Sequence, residues 1–133
     1  MDGYFKKMYE IGTRGEIESS ISEFLSIGQV ICVILSEDNK IYKGVDIIED
    51  NNIFIKAEVS AIAAMLSNGS KYIKKVLVLN ELGEVIKPTD ESIIYLLDFM
   101  NDNKIEVLLP DNKKVYIDEI VPDYYGTFRI IEE

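Results

Sequence analysis

The sequence has 133 residues, enough for one domain over residues 1–133 with a single hydrophobic core and too few for two ordinary domains. Apolar residues make up 47% of the chain and charged residues 29%, a balance typical of globular proteins and not of disordered chains. The longest unbroken apolar run, Val30 to Leu35, has six residues, whereas a membrane-spanning helix needs about 18 or more. The N-terminus also lacks the apolar segment of a secretory signal, so we expect a cytoplasmic protein.

The charge balance argues against polyanionic partners. Lysine and arginine total 14 against 24 aspartate and glutamate residues, giving a net charge of −10. Nucleic acids and anionic membranes would be repelled, whereas a nucleoside, which carries no phosphate, remains allowed. The chain has one cysteine, Cys32, and no histidine, which excludes an intramolecular disulfide, a multi-cysteine zinc site, and Ser-His-Asp or Cys-His catalysis.

The N-terminal segment, residues 1–27, is predicted to be helical with a break at residues 12–15. The break lacks the Gly-Lys-Ser/Thr ending of a phosphate-binding loop, so we interpret it as a connector. Beyond it, four apolar residues recur at the spacing of one helical stripe, which predicts a helix that packs on the rest of the domain. These residues are Ile17, Ile21, Phe24 and Leu25.

Strand and helix patterns alternate along the rest of the chain. Residues 29–35 and 41–47 are apolar and β-branched and flank a turn, so we predict a β-hairpin. Residues 56–67 are Ala-rich and apolar nearly all round, which predicts a buried helix that ends at Asn68-Gly69. A second helix opens at Pro88-Thr89-Asp90-Glu91, with Thr89 as its N-cap. Further strands are predicted at residues 75–79, 105–109 and 115–117, followed by a tyrosine-rich tail.

This order of elements predicts the fold class. A hairpin followed by alternating strands and helices gives an α/β protein, a three-layer α/β/α sandwich with a mixed central sheet. The strands at 75–79 and 105–109 are expected to pair in parallel through the helix between them.

Several segments, in this order and spacing, resemble the cytidine deaminases. The resemblance covers about residues 28–128 and implies the fold of that family, a nucleoside pocket and a homo-oligomer, either a dimer or a tetramer. The segments that carry it are Tyr42 to Asp46, Lys56-Ala57-Glu58, Ser67-Asn68-Gly69, Pro88 to Ser92, and a tail from Asp118 to Phe128.

The resemblance also identifies what has changed. The family holds Zn²⁺ by a His or Cys at one helix start and two Cys at the next, and a Glu shuttles protons from the bound water. Here the three ligand positions are Lys56, Thr89 and Ser92, and only Glu58 is retained at the catalytic position. Zinc lowers the pKa of bound water from about 15.7 to about 7, a difference of about 12 kcal/mol that an ammonium and two hydroxyls do not replace. We therefore predict that zinc is absent and that the family's hydrolytic deamination is lost.

The candidate substrate-binding residues are Asp46 and Lys56. The family holds the ribose with Asn-x-Glu after the second strand, and the matching positions are Asp46, which can accept a hydrogen bond, and Ile48, which cannot. We expect the Lys56 ammonium to take the vacated zinc position and to hydrogen-bond Glu58, Thr89 or Ser92. An ordinary solvated lysine is the alternative.

The other candidates also have structural explanations. Glu58 complements the dipole of its helix, and Thr89 and Ser92 are typical helix-capping residues. Cys32, in an apolar strand, is interpreted as a small buried hydrophobe. Tyr124, Tyr125 and the nearby Phe128 are expected to dock on the core, stacking on a base being the alternative.

Three functions remain open at this point. The first is a non-catalytic protein of the cytidine deaminase fold, a pseudoenzyme that binds a nucleoside-like small molecule or serves as an acidic protein-interaction module. The second is an active cytidine or pyrimidine nucleoside deaminase with an atypical site. The third is a helix-sheet domain with no relation to deaminases, because a topology predicted from a single sequence is often incorrect.

Overall fold

The computed structural model describes residues 1–15 and 19–123, which form three α-helices and eight strands of one mixed sheet. The helices are α1 (Gly3–Gly12), α2 (Ala57–Ser67) and α3 (Asp90–Leu97). The strands are β1 (Ser19–Ser20), β2 (Leu25–Ser36), β3 (Ile41–Glu49), β4 (Asn52–Ile55), β5 (Ile73–Asn80), β6 (Val85–Ile86), β7 (Glu106–Leu109) and β8 (Lys113–Tyr116). None of the described helices has the length and apolar character needed to cross a bilayer.

The sheet has the mixed topology that the sequence predicts. Its order is β4-β3-β2-β5-β7-β8, with β1 and β6 added beside β2 and β5. The predicted hairpin is the antiparallel pair of β2 and β3, and β5 pairs with β7 in parallel. The two strands of the parallel pair are joined through α3, as predicted.

Residues of β2 alternate between the two faces of the sheet. Ile31, Val33 and Leu35 pack with Phe5 and Met8 of α1. The residues between them, Cys32 and Ile34, belong to the cluster formed with α2 and α3. Because a strand has a side-chain period of two, β2 contributes to both cores, and the sheet is covered on both faces. The predicted three-layer sandwich is confirmed.

Helix α2 packs directly on strand β3. A Cβ at Gly44 would collide with the backbone of Ala57 and Ala61, so the helix approaches the strand where no side chain intervenes. As predicted, α2 ends at the C-cap Asn68, and Gly69 follows with a φ of 90°. This close contact fixes the start of α2 over the sheet.

The predicted helix over residues 17–25 is wrong. Ser19–Ser20 form β1, and Leu25 is already the first residue of β2. The backbone amides of Ile21 and Ser22 donate to the carbonyl of Leu25, so a tight reversal of the chain replaces the helical hydrogen bonds. The apolar stripe is not buried, because the side chain of Phe24 is 61% exposed and that of Ile21 is 58% exposed.

Two short strands, β4 and β6, were not predicted. In the chain β4 precedes α2 and β6 follows it, and they extend the predicted sheet by pairing with β3 and β5. The predicted start of α3 is confirmed, with Thr89 as its N-cap. Ile17, Tyr124, Tyr125 and Phe128, and hence the predicted docking of the tail, lie outside the described residues.

Candidate functional site: a pocket between two helix starts

A pocket of about 90 Å³ lies where the starts of α2 and α3 meet the sheet. All five candidate residues of the sequence analysis line it: Asp46, Lys56, Glu58, Thr89 and Ser92. Lys87 also lines the pocket, and the rest of the wall is apolar, formed by Val30, Ile53, Ala57, Val78, Ile86 and Pro88. The arrangement offers a few polar groups on an apolar surface, as small-molecule sites do.

Glu58 lies in the first turn of α2 and is only 4% exposed. Among the described residues, its carboxylate has neither a hydrogen-bond nor an ion-pair partner. No side-chain oxygen in this part of the chain is both fully enclosed and unbonded, so the Glu58 oxygens face the cavity. A buried carboxylate without a partner is unfavourable for folding, which makes it a candidate for ligand contact.

Cys32 lies on strand β2, close to Glu58 of helix α2. Its side chain is fully buried, and burial together with the charge of Glu58 raises the pKa of the thiol well above its usual value. The thiol therefore stays protonated at neutral pH and is a poor metal ligand or nucleophile. This agrees with its interpretation as a small buried hydrophobe.

Lys56 is the N-cap residue of α2 but makes no side-chain capping bond. Its ammonium forms an ion pair of 3.6 Å with Glu91 in the first turn of α3, and the Lys56 side chain is 24% exposed. The expected partners, Glu58, Thr89 and Ser92, are therefore wrong. The acidic first turn of α3 attracts the ammonium because Glu91 is accessible and opposite in charge.

Glu91 has a second partner on its own helix. The hydroxyl of Tyr95 donates a hydrogen bond of 2.7 Å to the Glu91 carboxylate. This bond, together with the charge of Lys56, lowers the pKa of Glu91, and the same bond raises the pKa of Tyr95. A chain of contacts from Tyr95 through Glu91 to Lys56 thus joins the two helices at the mouth of the pocket.

Thr89 and Ser92 cap α3 and bond to each other. Thr89 Oγ1 accepts a bond of 3.2 Å from the amide of Ser92 and donates one of 3.0 Å to Ser92 Oγ. These bonds confirm the structural explanation given for Thr89, whose hydroxyl serves as the N-cap of α3.

Asp46 is 2% exposed and stabilises an irregularity of the sheet. Its Oδ1 accepts hydrogen bonds from the amides of Gly28 and Val30, at 3.0 and 3.1 Å. The pairing of β2 with β3 shifts register between Ile27 and Ile31, and Asp46 supplies the acceptor for these two amides within the irregularity. Ile48, the other matching sugar position, lies outside the lining of this pocket.

The apolar wall of the pocket and the ion-pair partner of Lys56 were not predicted from the sequence. Ile53 belongs to the unpredicted β4, although Asp50-Asn51 is a recognisable two-residue turn in which both residues have positive φ. The spacing of Glu91 and Tyr95, four residues apart on a helix, is the signal that could have revealed their contact.

Lys56, Thr89 and Ser92, the residues that the resemblance places at metal-ligand positions, do not fit zinc. An ammonium has no lone pair to offer, and hydroxyls are poor zinc ligands beside thiolate or imidazole. The two hydroxyls are also engaged with each other at the start of α3. Within residues 1–15 and 19–123, no group of three or more His, Cys, Asp or Glu residues could hold a metal ion.

Comparisons with known proteins show the fold. No protein-family model matches the sequence, and no curated protein is similar to it at a significant level. Among solved structures, a mutant cytidine deaminase from Mycobacterium tuberculosis matches with a TM-score of 0.72 and 16% identity, over 90% of this chain and 95% of that chain. The chain has the cytidine deaminase fold.

Two further structures agree with this assignment. Cytidine deaminase from Mycobacterium leprae matches with a TM-score of 0.70 and 15% identity, over 90% of this chain and 98% of that one. The enzyme from Bacillus anthracis matches with a TM-score of 0.62 and 15% identity, over 96% and 93% of the two chains. At these identities the likeness concerns the fold, and function has to be argued from the pocket.

Proposed function

We propose that this chain is a pseudoenzyme of the cytidine deaminase fold, which lacks zinc and binds a nucleoside-like or nucleobase-like small molecule without deaminating it. The observation that carries the proposal is the pocket lined by Lys56, Glu58, Thr89 and Ser92. It keeps a buried carboxylate that has no partner in the described part of the chain, and it offers no suitable zinc donor at the three positions that the resemblance assigns to ligands. Binding is thus retained as a capability while the activated water of the family is lost.

The size of the pocket supports a compact ligand. A cavity of about 90 Å³ is smaller than the roughly 150 Å³ of a closed apolar cavity that holds one benzene ring, so only part of a ring-sized ligand fits inside it. One edge of a heterocyclic base would fill this space, and the rest of the base and any sugar attached to it would extend towards the opening. Ile53 and Ile86 supply apolar surface for a flat ring, and Glu58 supplies an acceptor for its N–H groups.

The alternative, an active cytidine or pyrimidine nucleoside deaminase with an atypical site, is favoured by Glu58 alone. The residue keeps the position of the proton-shuttling Glu and is buried against the cavity. Without an activated water, however, proton transfer by Glu58 lacks the nucleophile that it would assist. We therefore rank this alternative second.

Calorimetry and a deamination assay on the same untagged protein separate the two functions. The proposal expects saturable binding of cytosine or cytidine and no loss of cytidine absorbance over hours. Glu58→Gln should weaken binding, whereas Glu81→Gln, which removes the same charge from an exposed position, should not. Turnover of cytidine that Glu58→Gln abolishes would establish the alternative, and the absence of any binding would overturn the pocket proposal.

The exposed edge of the sheet is the surface at which a protein-interaction role and self-association can be tested. β4 is an edge strand, and Ile53 and Phe54 on it are 59% and 65% exposed. We infer that this edge takes part in the dimer or tetramer implied by the resemblance. Light scattering should give a multiple of the 15.2 kDa chain mass, and Phe54→Lys should reduce it; a monomer at all concentrations would contradict this.

A further inference from the structure

Two buried carboxylates of the pocket have no ion-pair partner among residues 1–15 and 19–123. Asp46 and Glu58 both line the cavity, and they are 2% and 4% exposed. Asp46 accepts two backbone amide bonds, whereas Glu58 has no partner among the described residues. In this part of the chain, neither carboxylate forms an ion pair.

The cations at the pocket do not compensate this charge. Lys56 is held by Glu91, whose own position is fixed by the bond from Tyr95. Lys87 lines the pocket but is exposed, where water and salt screen its charge. These two lysines therefore do not pair with the buried carboxylate of Glu58, which faces the cavity without a cationic partner among the described residues.

We propose, building on the proposed function, that the ligand of this pocket is a compact organic cation with a flat body and two N–H donors on one edge, of the amidinium or guanidinium type. A buried carboxylate without a counterion is costly, and a ligand that brings the opposite charge removes that cost on binding. An amidinium matches the two oxygens of Glu58 with two parallel charge-assisted hydrogen bonds. The apolar walls formed by Val30, Ile53 and Ile86 suit the flat face of such a ligand.

A matched pair of probes tests the charge directly. Benzamidine and benzamide have nearly the same size and shape, but only benzamidine is a cation with donors on both nitrogens. Calorimetry on the full chain at 0.15 M salt should show benzamidine binding at least about tenfold more tightly than benzamide. The salt is needed because, at low ionic strength, a chain of net charge −10 attracts any cation non-specifically.

Two variants assign the effect to the pocket. Glu58→Gln should reduce benzamidine affinity by about tenfold or more and leave benzamide within about twofold, because the amide keeps one acceptor but loses the charge. Glu81→Gln has the same change in net charge on an exposed residue and should leave both affinities unchanged. Circular dichroism verifies that both variants are folded, and the comparison of the two probes on the unmodified chain does not depend on them.

The outcomes distinguish this inference from the function on which it rests. Equal affinities for the two probes, or a benzamidine affinity unchanged by Glu58→Gln, would overturn the cationic ligand. If cytosine binds and benzamidine does not, the proposed function stands and the inference fails. If neither cytosine nor benzamidine binds, both fail.

Discussion

The ammonium nitrogen of Lys56 lies 3.6 Å from a carboxylate oxygen of Glu91, across the gap between the starts of α2 and α3. The resemblance of the sequence to the cytidine deaminases implies a metal ligand at the position of Lys56. Here an ion pair, extended by the hydrogen bond from Tyr95, connects the two helices instead. These side chains thus form a direct contact between the two helix starts.

Removal of the Tyr95 hydroxyl should raise the pKa of Glu91 towards its usual value of 4.5. The hydrogen bond stabilises the charged carboxylate, so its loss favours the protonated form, while Lys56 keeps the pKa somewhat below 4.5. A side-chain NMR titration of Tyr95→Phe against the unmodified chain measures this shift. Tyr72→Phe, another exposed tyrosine, is the control, and an unchanged Glu91 titration in Tyr95→Phe would contradict the assignment.

Asp46→Ala should destabilise the domain much more than Asp46→Asn. Alanine leaves the amides of Gly28 and Val30 buried without an acceptor, at about 1–3 kcal/mol for each. Asparagine keeps one acceptor oxygen and loses only the charge, for a cost of about 1 kcal/mol. Urea denaturation of the two variants gives the comparison. Similar free energies of unfolding would show that Asp46 does not hold the β2 irregularity.

Gly44→Ala should destabilise the fold by at least about 1–3 kcal/mol, because the new methyl group meets the backbone of Ala57 and Ala61 and not a flexible side chain. Gly3→Ala is the matched control. Nothing lies within 4 Å of its Cβ position, and the added residue favours α1, so its unfolding free energy should be unchanged or higher by up to about 1 kcal/mol. Equal midpoints for the two variants in thermal unfolding would contradict the close contact of α2 with β3.

The start of α1 should be sensitive to acid through Asp2. Burial alone would raise the pKa of Asp2, but the hydrogen bond from the Phe5 amide and the charges of Lys75 and Lys114 outweigh it, so the pKa is lowered from 3.8. A carboxyl with a lowered pKa in the folded state stabilises the protein above its unfolded pKa, and that contribution is lost as the pH falls through the folded value.

Asp2→Asn isolates this contribution because asparagine is also a good N-cap. The unmodified chain should be more stable than the variant at neutral pH, by less than about 1 kcal/mol because the site is partly exposed. The difference should shrink once the pH falls below 3.8. A difference that stays constant across this range, measured by urea unfolding, would show that the Asp2 charge is not involved.

Much of the fold follows from local patterns. The alternation of buried faces in β2 and the apolar character of α2 reflect burial, which favours an apolar residue at each buried position. The prediction for the N-terminal segment is wrong because its apolar spacing does not reflect its backbone hydrogen bonds. Ile21 and Phe24 have helical spacing, but the hydrogen bonds of this stretch form within a hairpin at the start of β2. Periodicity records which residues are apolar and does not record where the backbone bonds go.

The site was predictable in part. Spacing and order place Glu58, Thr89 and Ser92 at two helix starts, and the structure brings these starts together around one pocket. The partner of Lys56 was not predictable, because several acceptors lay within reach of a long side chain and only the packing of α2 against α3 decides among them. Among the described residues Glu58 has no partner, and this too depends on contacts between distant segments, which a local sequence pattern does not contain.

The zinc content of the purified chain tests the central claim most directly. Untagged protein, prepared without chelator from zinc-supplemented cells, is analysed for metal beside the Lys56→Cys, Thr89→Cys, Ser92→Cys triple variant, which restores three thiolate donors as a positive control. We predict essentially no zinc in the unmodified chain while it remains folded. About one zinc per chain would contradict the account and return hydrolytic deamination to first place.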